Sequence, residues 1–285
     1  MIGFESHGVE LMRYVSTPDP QPFEAPKPYV HPLRTLAGDV VTGYRPHDHR
    51  WHKGLQMTAS HVSGQNFWGG GTYVREERGY VDLPNNGTMR HDTLEVREDG
   101  LTGTLTWRAH DGEPWVRERR ELTVGAVDPD AGSWELTWHT AITGLRDEPL
   151  SFGSPTTHGR SLAGYSGLFW RGPRAFTGGD VVGPGALGGE EMMGVRAPWL
   201  AFRGRHDEVD RASTLVFVPE QGPGPETHWF VRSGPFAAVN PSWAFHEEFT
   251  LARDETVSRR YVVVVATGWW ERERIEKYLA ARPAA

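Results

Sequence analysis

Apolar side chains in this sequence recur at every second position, over and over, and that spacing limits the fold more than any other feature. Leu101, Gly103, Leu105 and Trp107 keep the period, as do Trp134, Leu136, Trp138 and Thr140. Period two is the pattern of a strand with one face in a core and the other facing outward. Further strands are expected at Thr93 to Arg97, Trp115 to Val124, Ser213 to Val218, His228 to Arg232, Phe245 to Leu251 and Tyr261 to Ala266. Turn-rich pieces separate them, among them Pro84-Asn85-Asn86-Gly87, Asp99-Gly100 and Asp128-Pro129-Asp130. Many short strands with regular turns predict an all-β sandwich or barrel. Helical spacing occurs once, between Trp270 and Ala281, where Ile275, Tyr278 and Leu279 form a stripe able to dock on a sheet. The glycine-rich segment from Thr177 to Gly194 reads as a long loop without a regular element, a candidate lid.

Composition narrows the function classes. The chain has 285 residues, 34 of them Gly and 21 Pro, and no shift that would mark a domain boundary, so a single domain over 1–285 is expected. Zero cysteines remove disulfides, thiolate metal sites and cysteine nucleophiles, leaving any metal to histidine and carboxylate. A net charge of -7 argues against a nucleic-acid partner, which normally needs a basic face. No apolar block marks a leader between Met1 and Pro20, and the run Val262 to Ala266 falls far short of the roughly 18 residues of a membrane span. A cytoplasmic protein without a membrane partner is the resulting expectation, with a homodimer left open.

Histidines supply the chemical signal. Of 13 in the chain, His31, His47, His49 and His52 fall within a window where about one is expected by proportion. One reading is acid–base work: these imidazoles line a cleft, while Arg34 and Lys53, one of only three lysines, hold polar groups of the substrate. A second is a metal site, in which His47 and His49 project from one face of an extended segment and His52 from the other. A third is an exposed loop whose histidines face water. Two further stretches add candidates. Ser154 to Arg174 offers His158, Arg171 and the aromatic wall Trp170. His228 to Glu248 offers Arg232, Asn240 and His246, with His246 and Glu248 on one strand face. Neither a Gly-x-Ser-x-Gly elbow nor a His-Glu-x-x-His pattern occurs.

The run His31-Pro32-Leu33-Arg34, Gly38, Val40-Val41-Thr42, Pro46-His47-Asp48-His49 and Trp51-His52-Lys53-Gly54-Leu55 resembles the signature of the bacterial domain family named PmoA. Phe67-Trp68-Gly69-Gly70, Gly167 to Arg174 and Trp229 to Arg232 extend the resemblance over about residues 28–268. A membrane-embedded methane oxygenase needs spanning helices, which this sequence lacks. The resemblance implies instead a large β-supersandwich similar to galactose mutarotase, with a short C-terminal helix at about 270–281 and a place in carbohydrate metabolism. Mutarotases use a histidine acid and a carboxylate base in an open cleft on one sheet. Which of Glu247 and Glu248 would stand for that carboxylate stays open.

These readings converge on an enzyme acting on a sugar, glycoside or oxidised sugar by histidine proton transfer, of isomerase or epimerase, lyase or glycoside hydrolase type. His47, His49, His52 and His158 are its catalytic candidates. His31, Arg34, Lys53, Trp68, Trp170, Arg171, Arg232, Asn240 and His246 are its substrate-binding candidates. No cofactor is required by this reading. The alternatives are a lyase, hydrolase or oxygenase with a histidine-bound divalent metal, and a non-catalytic carbohydrate-binding module stacking sugars on Trp68 and Trp170.

Overall fold

A computed structural model of the chain describes residues 1–220 and 225–282. The period-two segments build two large antiparallel sheets. One has seven strands in the order Ile2–Ser6, Val9–Val15, Tyr29–Leu33, Leu55–Ala59, Ser166–Arg171, Ala238–Ser242 and His228–Arg232. The other has eight, in the order Asp180–Val182, Leu200–Arg205, Ala212–Glu220, Thr256–Thr267, Ser133–Gly144, Pro114–Asp128, Gly100–Arg108 and Thr88–Arg97. A three-stranded sheet (Phe249–Leu251, Leu150–Gly153, His61–Val62) and the hairpin Thr72–Val74 with Gly79–Val81 complete the β structure.

The two large sheets share one core, which is why one face of each strand is apolar. Trp134, Leu136, Trp138 and Ile142 from the larger sheet join Leu55, Met57, Leu168 and Trp170 from the smaller in a single buried cluster. Trp170 meets Phe217 across the gap at 5.6 Å between ring centroids. Seven tryptophans are essentially inaccessible (107, 134, 138, 170, 229, 243 and 270), so most of the chain's indoles serve packing. Removing one such side chain typically costs about 3–5 kcal/mol. The core also encloses an ion pair, Glu118 with Arg120 at 2.7 Å, satisfied further by Trp107, Thr140 and the hydroxyl of Tyr14 on the opposite sheet.

The continuous apolar run at Tyr261 to Ala266 is explained by burial on both sides. Tyr261, Val263 and Val265 point into the main core. Val262, Val264 and Ala266 point outward, under the helix Arg272–Ala281, whose Ile275, Tyr278 and Leu279 dock there as their spacing predicts. Among the described residues no helix is long and apolar enough to cross a membrane.

Two expectations need correction. The segment Thr177 to Gly194 is not devoid of regular structure: Asp180–Val182 pairs with Leu200–Arg205, and Gly189–Met192 forms a 3₁₀ turn. Gly178, Gly179, Gly183 and Gly185 lie outside these pieces, and Gly189 opens the 3₁₀ turn. The strand expected at Phe245 to Leu251 begins only at Phe249, because residues 243–247 bend to bury Phe245 on the outer side of the seven-stranded sheet. Strand parity therefore does not relate His246 to Glu248.

Candidate active site

The outer face of the seven-stranded sheet is aromatic where a soluble sheet is usually polar. Phe169 and Phe230 stand on it, each one place along the strand from a core tryptophan, and Trp68, Tyr165 and Phe245 pack against them. Above them opens a pocket of about 310 Å³, lined by His49, Trp51, His52, Trp68, Tyr80, Arg160, Ala163, Tyr165, Phe169, Phe230, Arg232, Pro235 and Phe236. Pockets of a few hundred Å³ that are mostly apolar, with a few convergent polar groups, are the usual form of small-molecule sites.

The histidines reach this pocket through turns. The His49 amide donates to the Pro46 carbonyl (3.0 Å), the His52 amide to the His49 carbonyl (2.9 Å), and the Arg45 amide closes the loop onto the His52 carbonyl (2.8 Å). Residues three apart in such turns come together, and the His49 and His52 rings lie 4.8 Å apart. The alternation expected for an extended segment does not apply, which is why His47 and His49 do not share a face.

The two rings have charged neighbours of opposite sign beside their Nδ1 atoms. A guanidinium N–H of Arg171 donates to Nδ1 of His52 at 3.0 Å. Arginine has no acceptor, so Nδ1 of His52 carries the lone pair and the neutral ring holds its proton on Nε2. Burial, then the positive charges of Arg171, His49 and Lys27, hold the His52 pKa well below that of a free imidazole. Arg171 is itself lowered to about 10 by burial, which leaves it cationic at neutral pH. It also stacks 4.0 Å over the Phe236 ring.

His49 is the complement. Its Nδ1 is buried 3.2 Å from a carboxylate oxygen of Asp48, off the hydrogen-bond axis and with no other partner. Desolvation, the largest single influence, raises the Asp48 pKa, but its own backbone amide and the neighbouring His49 and His47 hold it below the usual carboxylate range. An ionised Asp48 favours the proton on Nδ1 of His49 and leaves the Nε2 lone pair uncommitted. Burial depresses the His49 pKa and Asp48 partly restores it, so the ring is mainly neutral near pH 7. The pair thus offers one donor and one acceptor to a single pocket.

The wall beside it is built by the Phe67-Trp68-Gly69-Gly70 motif. The Asn66 side-chain oxygen accepts from the amides of Trp68 (2.8 Å) and Gly69 (2.9 Å), and the buried ammonium of Lys27 donates to the Trp68 carbonyl at 2.6 Å. Trp51 lies directly on the glycines: a Cβ at Gly70 would come within 2.7 Å of its indole, and Gly70 has a φ of +72°. Any side chain there would displace Trp51 from the pocket.

Of the residues singled out from sequence, His49, His52, Trp68 and Arg232 line the pocket, and Arg171 stands directly behind it. The others lie elsewhere. His47 is outside the lining and accepts from Arg174 at 3.1 Å. His158 stacks on His61 at 4.1 Å, and His246 meets His228 edge-on at 4.8 Å. His31 stacks on Tyr44 at 5.0 Å, Arg34 donates to the Gly38 carbonyl at 3.1 Å, and Lys53 pairs with buried Glu24 at 2.9 Å. Trp170 is in the core because it neighbours Arg171 on one strand, and adjacent strand residues face opposite ways. Asn240 is fully buried, its side chain committed to the backbone of Ser166 and Leu168. Sequence reading left out Asp48, Trp51, Tyr80, Arg160, Tyr165, Phe169, Phe230 and Phe236 as site residues. Asp48 could have been found as the carboxylate beside His49, and Phe230 by its period-two relation to Arg232. Among the described residues no group of three or more His, Asp or Glu side chains is disposed to share a metal ion.

A family model matches residues 2–280, and its description is a family of unknown function, DUF6807. The chain belongs to that family. The description carries neither the PmoA name nor an activity. No curated protein matches the chain. Similar solved structures include an α-galactosidase from Lactobacillus brevis, at 11% identity over 85% of this chain and 35% of that one, with a TM-score of 0.38. Another is an α-galactosidase from Geobacillus stearothermophilus in complex with 1-deoxygalactonojirimycin, at 13% identity over 75% of this chain and 32% of that one, TM-score 0.38. The DUF6807 chain thus spans about a third of the length of these structures. Its function has to be argued from the pocket itself.

Proposed function

We propose that this pocket binds a carbohydrate and moves a proton on it, with His49 as base and His52 as hydrogen-bond donor. The opposite charges beside the two Nδ1 atoms carry the reading. Nε2 of neutral His49 takes a proton from a ligand hydroxyl or an adjacent carbon. Nε2–H of His52 donates to the oxygen on which negative charge builds. Asp48 stabilises the His49 imidazolium formed, and Arg171 keeps His52 from presenting a lone pair there. In the reverse direction protonated His49 returns the proton as an acid.

Aromatic faces at Trp51, Trp68 and Phe169 suit the apolar side of a pyranose ring, and the polar rim suits its hydroxyls. Hydrolysis by paired carboxylates fits poorly, since no Asp or Glu is among the described lining residues. Isomerase, epimerase or lyase chemistry fits better. In the metal-dependent alternative His52 is a weak candidate ligand, because its only lone pair faces Arg171.

The test is turnover on a panel of sugars, sugar acids and glycosides with His49→Ala and His52→Ala. Loss of activity in both supports the reading. Activity unchanged in both contradicts it, and binding without turnover that survives both substitutions favours a carbohydrate-binding module.

A further inference from the structure

Resting on that reading, we propose that the sugar taken here is an acid, whose ionised carboxylate is held by Arg160 and Arg232 at the end of the pocket away from the histidines. Ring contacts order the pocket. His49 meets His52, His52 meets Trp68 at 5.5 Å, and Trp68 meets Tyr165 at 4.4 Å. The Tyr165 hydroxyl bonds that of Tyr80 at 2.5 Å, and Arg160 donates to Tyr80 while standing 4.8 Å over its ring. Arg232 reaches the same end, donating to the Leu162 carbonyl at 3.4 Å.

Guanidiniums outnumber carboxylates at that end. The chain as a whole is acidic, with a net charge of -7, yet the described lining holds two guanidiniums and no carboxylate. The acidic partner of Arg232 is Glu190, whose Oε2 lies 3.9 Å away, beyond hydrogen-bond reach, while its Oε1 accepts from the amides of Ser233 and Gly234 at 3.0 Å each. Tyr165 does not supply the missing charge, since burial raises its pKa well above that of a free phenol. Each guanidinium carries five N–H donors and donates one hydrogen bond among the contacts described, and both side chains line the cavity. A planar carboxylate fits a guanidinium fork with two parallel hydrogen bonds. No helix N-terminus, the common cradle for phosphate, is among the described lining residues.

Calorimetric titration of the full chain with D-galacturonate and D-gluconate, beside D-galactose, D-glucose and galactose 6-phosphate, tests this. One of the acids is expected to bind at least tenfold more tightly than its neutral counterpart, with the margin shrinking as salt is raised. Arg232→Lys, which keeps the charge and loses the fork, and Arg160→Gln should each remove most of the preference, with circular dichroism confirming the fold. Neutral sugars binding as tightly as acids, or the phosphate binding more tightly than either acid, overturns the proposal and leaves proton transfer standing. A preference for acids undiminished in both variants overturns the assignment to these arginines. Binding of none of these sugars overturns the underlying reading, and this proposal with it.

Discussion

Among the close imidazole pairs of the described residues, His49 with His52 and His61 with His158 differ in what lies at their nitrogens. In the first pair, one Nδ1 accepts from a guanidinium and the other lies 3.2 Å from a carboxylate, and both rings line a pocket. In the second, Nε2 of His61 donates to the Tyr73 carbonyl at 3.3 Å and Nδ1 of His158 to the Ser154 carbonyl at 3.0 Å. Their carboxylate, Glu248, is 3.6 Å from His158, but its oxygens accept from Ser151 and Thr157. The rings of the second pair are closer, at 4.1 Å against 4.8 Å, yet their contacts tie them to the scaffold. Proximity of histidines is therefore a poor guide to chemistry. Which nitrogen is committed, and to what, decides.

The largest expected effect separates the pairs directly. His49→Ala should lower turnover by about 10²- to 10⁴-fold, the range for a lost acid or base. His158→Ala should change it by less than about twofold. Equal losses would erase the distinction. A smaller effect tests the anchoring itself: Arg171→Met removes the donor to Nδ1 of His52, so both tautomers become accessible. Turnover should fall about 10- to 100-fold, comparable with removing partners that orient metal-bound histidines. A variant as active as the parent would show that the guanidinium has only a packing role.

The smallest effect belongs to the second pair and appears in stability. Burial, with the nearby His158, pushes the His61 pKa down to about 4 from 6.5. The unfolded chain therefore binds a proton more readily than the fold does, so the contribution of His61 is full above pH 6.5 and is lost as pH falls toward 4. Since His61 is only 4% exposed, about 1–2 kcal/mol should disappear between pH 7 and pH 5. Denaturant unfolding of the parent and of His61→Gln should show that slope shrinking in the variant. An unchanged slope would place the pH sensitivity in other groups.

Much of the fold was legible because its signals are local. Alternation around Trp134 and Trp107 marks strands that bury one face, and the unbroken run at Tyr261 to Ala266 marks one buried on both. The site was legible only in part. Clustering points to His49 and His52, but parity for an extended segment fails where the chain turns twice between Pro46 and His52. Trp170 and Arg171 were read as neighbours in one site, although a strand sends them to opposite faces. Tyr80 enters the pocket from the hairpin strand Gly79–Val81, and Arg160 and Phe236 from loops distant in sequence, brought there by strand order, which no local pattern encodes.

The opposed protonation of His49 and His52 is most directly read by long-range ¹H–¹⁵N correlation on histidine-labelled protein at neutral pH, assigned with the single variants. The account predicts the proton on Nε2 in His52 and on Nδ1 in His49. A proton on Nδ1 of His52, or both rings in the same tautomer, would contradict it.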